Sequence, residues 1–385
     1  MSDLYPSVKI GKVYFRNSQA LQVGPVMNAL EGFHFVDPLT SIANNTSIAS
    51  TKKITFEVNQ PGHISSARLK LEVEETSGTD PVTLERAHSL IERIEVLGAD
   101  NRVIQTLDGD ECFYLPELTK SIEQVGKETY DSYTAAGYAS DYATITIAAG
   151  ASATYYIDLP VFFALAHVDT NNSGCRLEVH LKSNNVSGSG NLAINNVQMV
   201  YESMRMTQEH EYNYRRNVLG KGSHCFKYPE LNHVLSQPIT LTSGGTFKYR
   251  LDSATSNAVA LVVLLRPSAT TSGTNLNTYR NIASLQLEDS SGRIIGNPLN
   301  SDMLRLSSSG SSGYYFTLNP DAVVLGLGDI NSAVSGNEVG GFQFSGSEYL
   351  EFTNGISTGS HVLDVYALEV KQVYQSSVGR IMDRQ

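Results

Sequence analysis

The sequence predicts an all-β protein made of two tandem β-sandwiches, on three observations. Apolar and polar residues alternate with period two along most of the chain, the signature of half-buried antiparallel strands. A shift of 191 residues sets one half of the chain on the other. The composition is 41% hydrophobic but only 17% charged, against a usual charged share of about 25%, so the loops are polar yet weakly charged. At 385 residues the chain exceeds the roughly 250–300 at which one core stops growing, so two domains are expected. The net charge of −11 repels phosphate, and no specific nucleic-acid recognition is expected.

Taken in order, residues 1–39 read as an N-terminal arm, in which 17–31 is a weak helical candidate interrupted by Gly24-Pro25. The first domain spans 40–205. Its strands are 54–58, 69–74, 91–96, 144–147, 155–159 and 175–181, separated by turn clusters at 76–81, 98–101, 171–174 and 184–190. A short helix is expected over 111–125, where Leu115, Leu118, Ile122 and Val125 recur at helical spacing. Residues 206–234, rich in tyrosine and charge, read as a connector. The second domain spans 235–375, with strands at 247–251, 258–265, 282–287, 341–344, 349–352 and 361–374. Residues 376–385 form a C-terminal tail. About eight strands of uneven spacing per half suit an eight-stranded jelly roll better than a seven-stranded immunoglobulin sandwich, so the fold class is two tandem eight-stranded jelly rolls with few short helices.

The duplication supports this division. The shift sets Thr55-Phe56 on Thr246-Phe247, and Leu71 and Val73 on Val262 and Leu264. It also sets Ile91, Ile94 and Val96 on Ile282, Leu285 and Leu287, the Arg102-Val-Ile104 stretch on Arg293-Ile-Ile295, and Leu115 on Leu306. Period two alone aligns strands by chance, but it does not align turns and an Arg-aliphatic pair at one offset. Nearer the end of each half, Leu177 to Val179 is set against Leu363 to Val365 at a shift of 186.

Two duplicated jelly rolls in one chain resemble the double jelly-roll major capsid proteins of tailless icosahedral viruses, including bacterial viruses with an internal membrane. The stretch from Thr144 to Pro160, followed by Phe162 and Phe163, is similar to the middle of the first jelly roll in that family. Arg176 to Leu181 with Asn184-Asn185 is similar to its next strand. The resemblance implies a structural protein that trimerises into a pseudo-hexameric capsomer and tiles, with neighbouring capsomers and other capsid proteins, into a virion shell. Assembly in the host cytoplasm is expected from the same resemblance. The competing expectation is a non-catalytic β-sandwich spike or a carbohydrate- or receptor-binding protein. The absence of Trp and the even scatter of the 20 Tyr weigh against sugar stacking.

No catalytic, cofactor-binding or metal-binding residue is expected. Gly355-Ile-Ser357-Thr-Gly359 spells a nucleophile elbow, but that motif works only as a strand-to-helix turn above a parallel sheet, and a hairpin loop is the better reading. An esterase resting on Ser357 is the third and weakest functional option. His224, Cys225 and His233 match no zinc spacing. Asp108, Asp110 and Glu111 lack a calcium-loop pattern and suit a helix start instead. Glu74-Glu75 and Glu209 with Glu211 read as exposed, and Gly220 to Ser223 lacks the spacing of a phosphate loop. Cys112, Cys175 and Cys225 are odd in number and far apart, which argues for reduced thiols in a cytosol. The Asn-x-Ser/Thr matches at Asn44, Asn45, Asn171 and Asn185 then read as chance. The start of the chain lacks the apolar segment of a secretory signal, and the longest apolar run, 258–265, has eight residues where a spanning helix needs about 20.

The termini differ from the body. Residues 1–20 and 371–385 each carry a net +2, from Lys9, Lys12 and Arg16 and from Lys371, Arg380 and Arg384. Lys9, Lys12, Arg16, Arg380 and Arg384 are therefore the candidate contacts to an anionic surface, an internal membrane or the genome, on the inner face of the shell.

Overall fold

The computed structural model describes residues 8–10, 13–15, 30–50, 52–60, 62–84, 87–119, 145–182, 186–187, 190–205, 224–251, 255–267, 282–300, 322–328, 341–355, 358–376 and 378–382, with 212, 216 and 303. The chain divides into two compact units: residues 1–113, 126–228 and 371–385 form the first, and 114–125 with 229–370 the second.

The first unit holds eight main strands. They are β1 (Leu30–Val36), β2 (Lys52–Val58), β3 (His63–Glu75), β4 (Ile91–Leu97), β5 (Val103–Leu107), β6 (Ser152–Asp158), β7 (Cys175–Leu181) and β8 (Leu192–Arg205). One sheet runs β1-β8-β3-β6 and the other β2-β7-β4-β5, all pairs antiparallel. Strand β3 shows how the pattern sets the layers. Ala67, Leu69, Leu71 and Val73 are buried, and they alternate with Arg68, Lys70, Glu72 and Glu74 on the outward face. The core between the sheets adds Phe56, Val96, Leu177 and Val179, with Phe162 and Phe163 from the single turn α2 (Phe162–Leu165), which follows α1 (Gly109–Thr119) in the chain.

The second unit repeats the plan with β9 (His224–Leu241), β10 (Thr246–Arg250), β11 (Ala260–Pro267), β12 (Ile282–Glu288), β13 (Ile294–Asn300), β14 (Ala322–Gly326), β15 (Tyr349–Asn354) and β16 (Gly359–Gln375). The first five residues of β9 and the last five of β16 count with the first unit. The sheet orders are β9-β16-β11-β14 and β10-β15-β12-β13. Numbered within each half, both read 1-8-3-6 and 2-7-4-5. Two four-stranded sheets in that order are a jelly roll, so the expected double jelly roll is the fold.

The 191-residue shift survives at the level of single turns. The hairpin between β4 and β5 closes with Gly98 N–H to Arg102 O at 2.8 Å, and that between β12 and β13 with Asp289 N–H to Arg293 O at 2.9 Å. Asn101 and Gly292, again 191 apart, both have positive φ, at 62° and 79°. Phe56 and Phe247 fall in β2 and β10, each opposite a residue of the seventh strand, Leu177 and Phe352. Ile104 and Ile295 are each the second residue of the fifth strand. The ladder then slips: Leu177 pairs with Val96 of the fourth strand, but Phe352 pairs with Leu285, the counterpart of Ile94.

Several expectations are corrected. Leu177 to Val179 lies in a seventh strand and Leu363 to Val365 in an eighth, so the 186-residue match joins non-equivalent strands. The arm 1–39 contains β1, a full member of a sandwich sheet. The weak helix over 17–31 ends in that strand at Leu30, and 16–29 lie outside the described residues. Residues 224–234, assigned to the connector, begin the 18-residue β9. In the tail 376–385, Ile381–Met382 pairs with β16. The helix expected over 111–125 begins at Gly109, where a Cβ would stand 2.3 Å from His88 O. Residues 120–125 and Leu306 lie outside the described residues.

Candidate functional site

The two ends of the first sandwich are built differently. At one end the connections β3–β4, β5–β6 and β7–β8 meet, and they contribute Val82–Leu84, Ile145–Ile147 and Val186–Ser187 to a small three-stranded sheet. Glu75, the last residue of β3, is fully buried beneath them. Its Oε1 accepts from Ser77 N–H at 2.6 Å and Asn191 N–H at 3.1 Å. Its Oε2 accepts from Gly78 N–H at 3.0 Å and Gly150 N–H at 2.8 Å. One carboxylate thus ties the bases of all three connections. Hydrogen bonding from the Ser77 side chain, and then from the Gly150, Ser77 and Gly78 amides, outweighs burial and pushes its pKa down to about 2. The expectation that Glu74-Glu75 is exposed therefore fails for Glu75. Glu74 faces outward and accepts from Asn195 Nδ2 at 2.6 Å.

The opposite end receives the chain's outer segments. Leu30 opens β1 there, opposite Arg205 at the end of β8. Gln375 Nε2 donates to Asp169 O at 2.8 Å, Ile381 N–H to Ser173 O at 3.1 Å, and Ala99 N–H to Ile381 O at 3.0 Å. Asp169 itself bridges His63, the first residue of β3, so residues 378–382 sit at the end of the sandwich where β1 begins. Arg380 is exposed there. Lys9 pairs with Tyr14 in the hairpin Val8–Ile10/Val13–Phe15. Lys12, Arg16 and Arg384 lie outside the described residues.

The remaining sequence candidates separate. Cys225 Sγ lies 3.5 Å from Gln372 Oε1, whereas His233 Nε2 lies 3.3 Å from Asp364 Oδ1 and its ring stacks on Tyr366 at 4.6 Å. Asp108 and Glu111 cap α1 reciprocally, with Glu111 N–H to Asp108 Oδ1 at 2.7 Å and Asp108 N–H to Glu111 Oε2 at 2.8 Å, which accounts for both as a helix start. The three cysteines are free. Burial raises the pKa of Cys175 to about 12 and pushes Cys112 well up, so neither thiol is activated as a nucleophile. Gly355 and Gly359 bracket the connection from β15 to β16, strands of different sheets, so the segment is a crossover and not a hairpin. Ser357, Glu209, Glu211 and Gly220 to Ser223 lie outside the described residues.

Sequence reasoning missed Glu75 and Gln105. Gln105, 1% exposed in β5, accepts from Phe162 N–H at 2.7 Å and fixes the start of α2. Strand parity carried the signal for both: Glu75 continues the inward series Ala67, Leu69, Leu71, Val73, and Gln105 shares the inward face with Leu107.

No family model matches the sequence, and no curated protein matches it. Solved structures do match in fold. The Faustovirus major capsid protein superposes with a TM-score of 0.63 at 8% identity, covering 91% of both chains. PBCV-1 VP54, fitted into a reconstruction of the virophage Sputnik, gives 0.62 at 10% identity, over 95% of this chain and 100% of that one. The mavirus major capsid protein gives 0.54 at 11% identity, over 91% and 90%. Over nearly its whole length, the chain has the double jelly-roll fold of these viral capsid proteins.

Proposed function

We propose that the protein is a major capsid protein, located in the virion shell, and that it is a structural protein and not an enzyme. The observation that carries this reading is the match of both jelly rolls, end to end, to chains that are themselves capsid proteins. The finer reading is a homotrimer. Two similar but unequal sandwiches per chain let a three-fold assembly approximate six-fold packing, so trimers tile a shell beside neighbouring capsomers. Assembly takes place in the host cytoplasm. The first jelly roll extends from β1 through β8 and the second from β9 through β16.

The loop-bearing and tail-bearing ends of the first sandwich support an outside and an inside. The basic termini, with Lys9, Lys12, Arg16, Arg380 and Arg384, face inward toward membrane or genome. An anionic surface attracts each such charge by about 1 kcal/mol, less once salt screens beyond ~8–10 Å. A tiled shell multiplies these weak contacts.

Light scattering on the purified protein tests the assembly. The expected mass is three times 41.9 kDa. A monomer at micromolar concentration overturns the trimer, and microscopy of source particles that places the protein in a spike overturns the shell. Replacing the five basic residues with Gln leaves the trimer intact but weakens flotation with anionic vesicles. Unchanged flotation at physiological salt refutes the inward role of the termini.

A further inference from the structure

We propose that Glu95, Glu178 and His180 form a site for a divalent transition metal of the Zn²⁺ type on the outward face of the β2-β7-β4-β5 sheet. Strand β7 turns Leu177, Val179 and Leu181 into the core, which places Glu178 and His180 on the other face. Glu178 pairs directly with Glu95 of β4, and like charges in that position destabilise a sheet unless a cation intervenes. Arg93 Nε, 3.2 Å from Glu95 Oε1, and Lys53 Nζ, 2.5 Å from Glu178 Oε2, supply part of that charge. Both are side chains about half exposed, at 49% and 53%.

The third group identifies the ligand. His180 Nε2 is shielded from solvent and makes no hydrogen bond. It points toward Glu95 Oε2 at 3.7 Å, and one ligand atom from each of the three residues lies within 4.8 Å of the others. A Zn²⁺ ion held at about 2.0–2.2 Å by one imidazole nitrogen and two carboxylate oxygens sets those atoms about 3.3–3.5 Å apart, a few tenths of an ångström to at most about 1.5 Å closer than here. Small side-chain rotations close that gap, and water completes the coordination. An imidazole donor favours Zn²⁺ over Ca²⁺ or Mg²⁺, which take oxygen ligands in larger number or in octahedral arrangement.

Calorimetric titration of the full-length protein with ZnCl₂ at pH 7.5 tests this. One ion per chain is expected, with micromolar affinity. His180→Ala and Glu95→Gln each weaken it at least tenfold, while His233→Ala, a histidine outside the cluster, binds as the parent does. Co²⁺ gives the visible absorption of a four-coordinate site in the parent and loses it in His180→Ala. The absence of saturable Zn²⁺ binding, His180→Ala and Glu95→Gln both binding like the parent, or equal binding of Ca²⁺ overturns the site.

Discussion

Gln105 offers a quantitative test of how the first sandwich is held. Its Oε1 accepts from the buried Phe162 N–H at 2.7 Å, and its Nε2 reaches Pro160 O at a weak 3.4 Å. Gln105→Met keeps length and apolar volume but removes the acceptor, leaving Phe162 N–H buried and unpaired. That costs about 1–3 kcal/mol. The long Pro160 contact adds little, so the loss rests on one bond. For a cooperative unit of 150–250 residues each kcal/mol moves the melting point by about 2–4 °C, which gives a fall of roughly 2–12 °C in calorimetry. Gln105→Glu separates the acceptor from the charge. At pH 7 it retains the acceptor but buries a carboxylate, so it is destabilised. Near pH 4 the carboxyl is neutral, accepts from Phe162 N–H, donates to Pro160 O, and approaches the wild type measured at the same pH. A Gln105→Met melting point within 1 °C of wild type refutes the reasoning, as does a Gln105→Glu deficit that grows on acidification.

Glu75 has a folded-state pKa near 2 against an ordinary 4.5, so its stabilisation is complete above pH 4.5 and disappears as pH falls toward 2. The melting-point gap between wild type and Glu75→Gln is accordingly widest near neutrality and shrinks across that window, and a gap independent of pH refutes the assignment. Asp108→Ala removes one arm of the capping box on α1 and lowers stability by about 1 kcal/mol in urea titration, whereas Asp108→Asn lowers it by less. Gly292, at φ +79° with open space around a built Cβ, accepts Asn with little loss because Asn101 occupies the matching turn position; Gly292→Val loses about 1–2 kcal/mol. Equal losses for Asn and Val remove the turn equivalence.

The strands with one wet face were legible because burial writes period two directly into sequence: 175–181 is assigned residue for residue. The elements that were misassigned break that rule. Strand β9 carries Pro229, Pro238 and several polar residues, which resemble a linker, yet pairing with β16 holds it in the sheet. Strand β16 is buried continuously from Leu363 to Glu369, so it shows no alternation by which its register could be fixed, and Leu363 to Val365 was set against the wrong strand. Pairs such as Glu95 with Glu178 depend on which strands become neighbours, a property of topology that lies beyond any local window. Glu75 was overlooked because a carboxylate is expected in water, although its parity pointed inward.

The way Glu75 holds its loops governs which changes that end of the molecule tolerates. Besides the Ser77 side chain, it is held by four main-chain amides, and every residue type except proline provides one. The anchor therefore depends on few positions: Ser77, which also bonds it, Gly190, where a Cβ would stand 2.9 Å from Glu75 Oε1, and the left-handed backbone at Gly78 and Gly150, near φ +69° and +68°, which favours glycine or asparagine. Sequence drift, foreign epitopes or added residues at exposed loop positions would leave the anchor undisturbed, whereas Val82, Leu84 and Ile147 in the same connections are core residues and do not vary freely. Residue 75 is the position that this freedom holds fixed, so a display scaffold built on the protein would vary the loops and keep the glutamate.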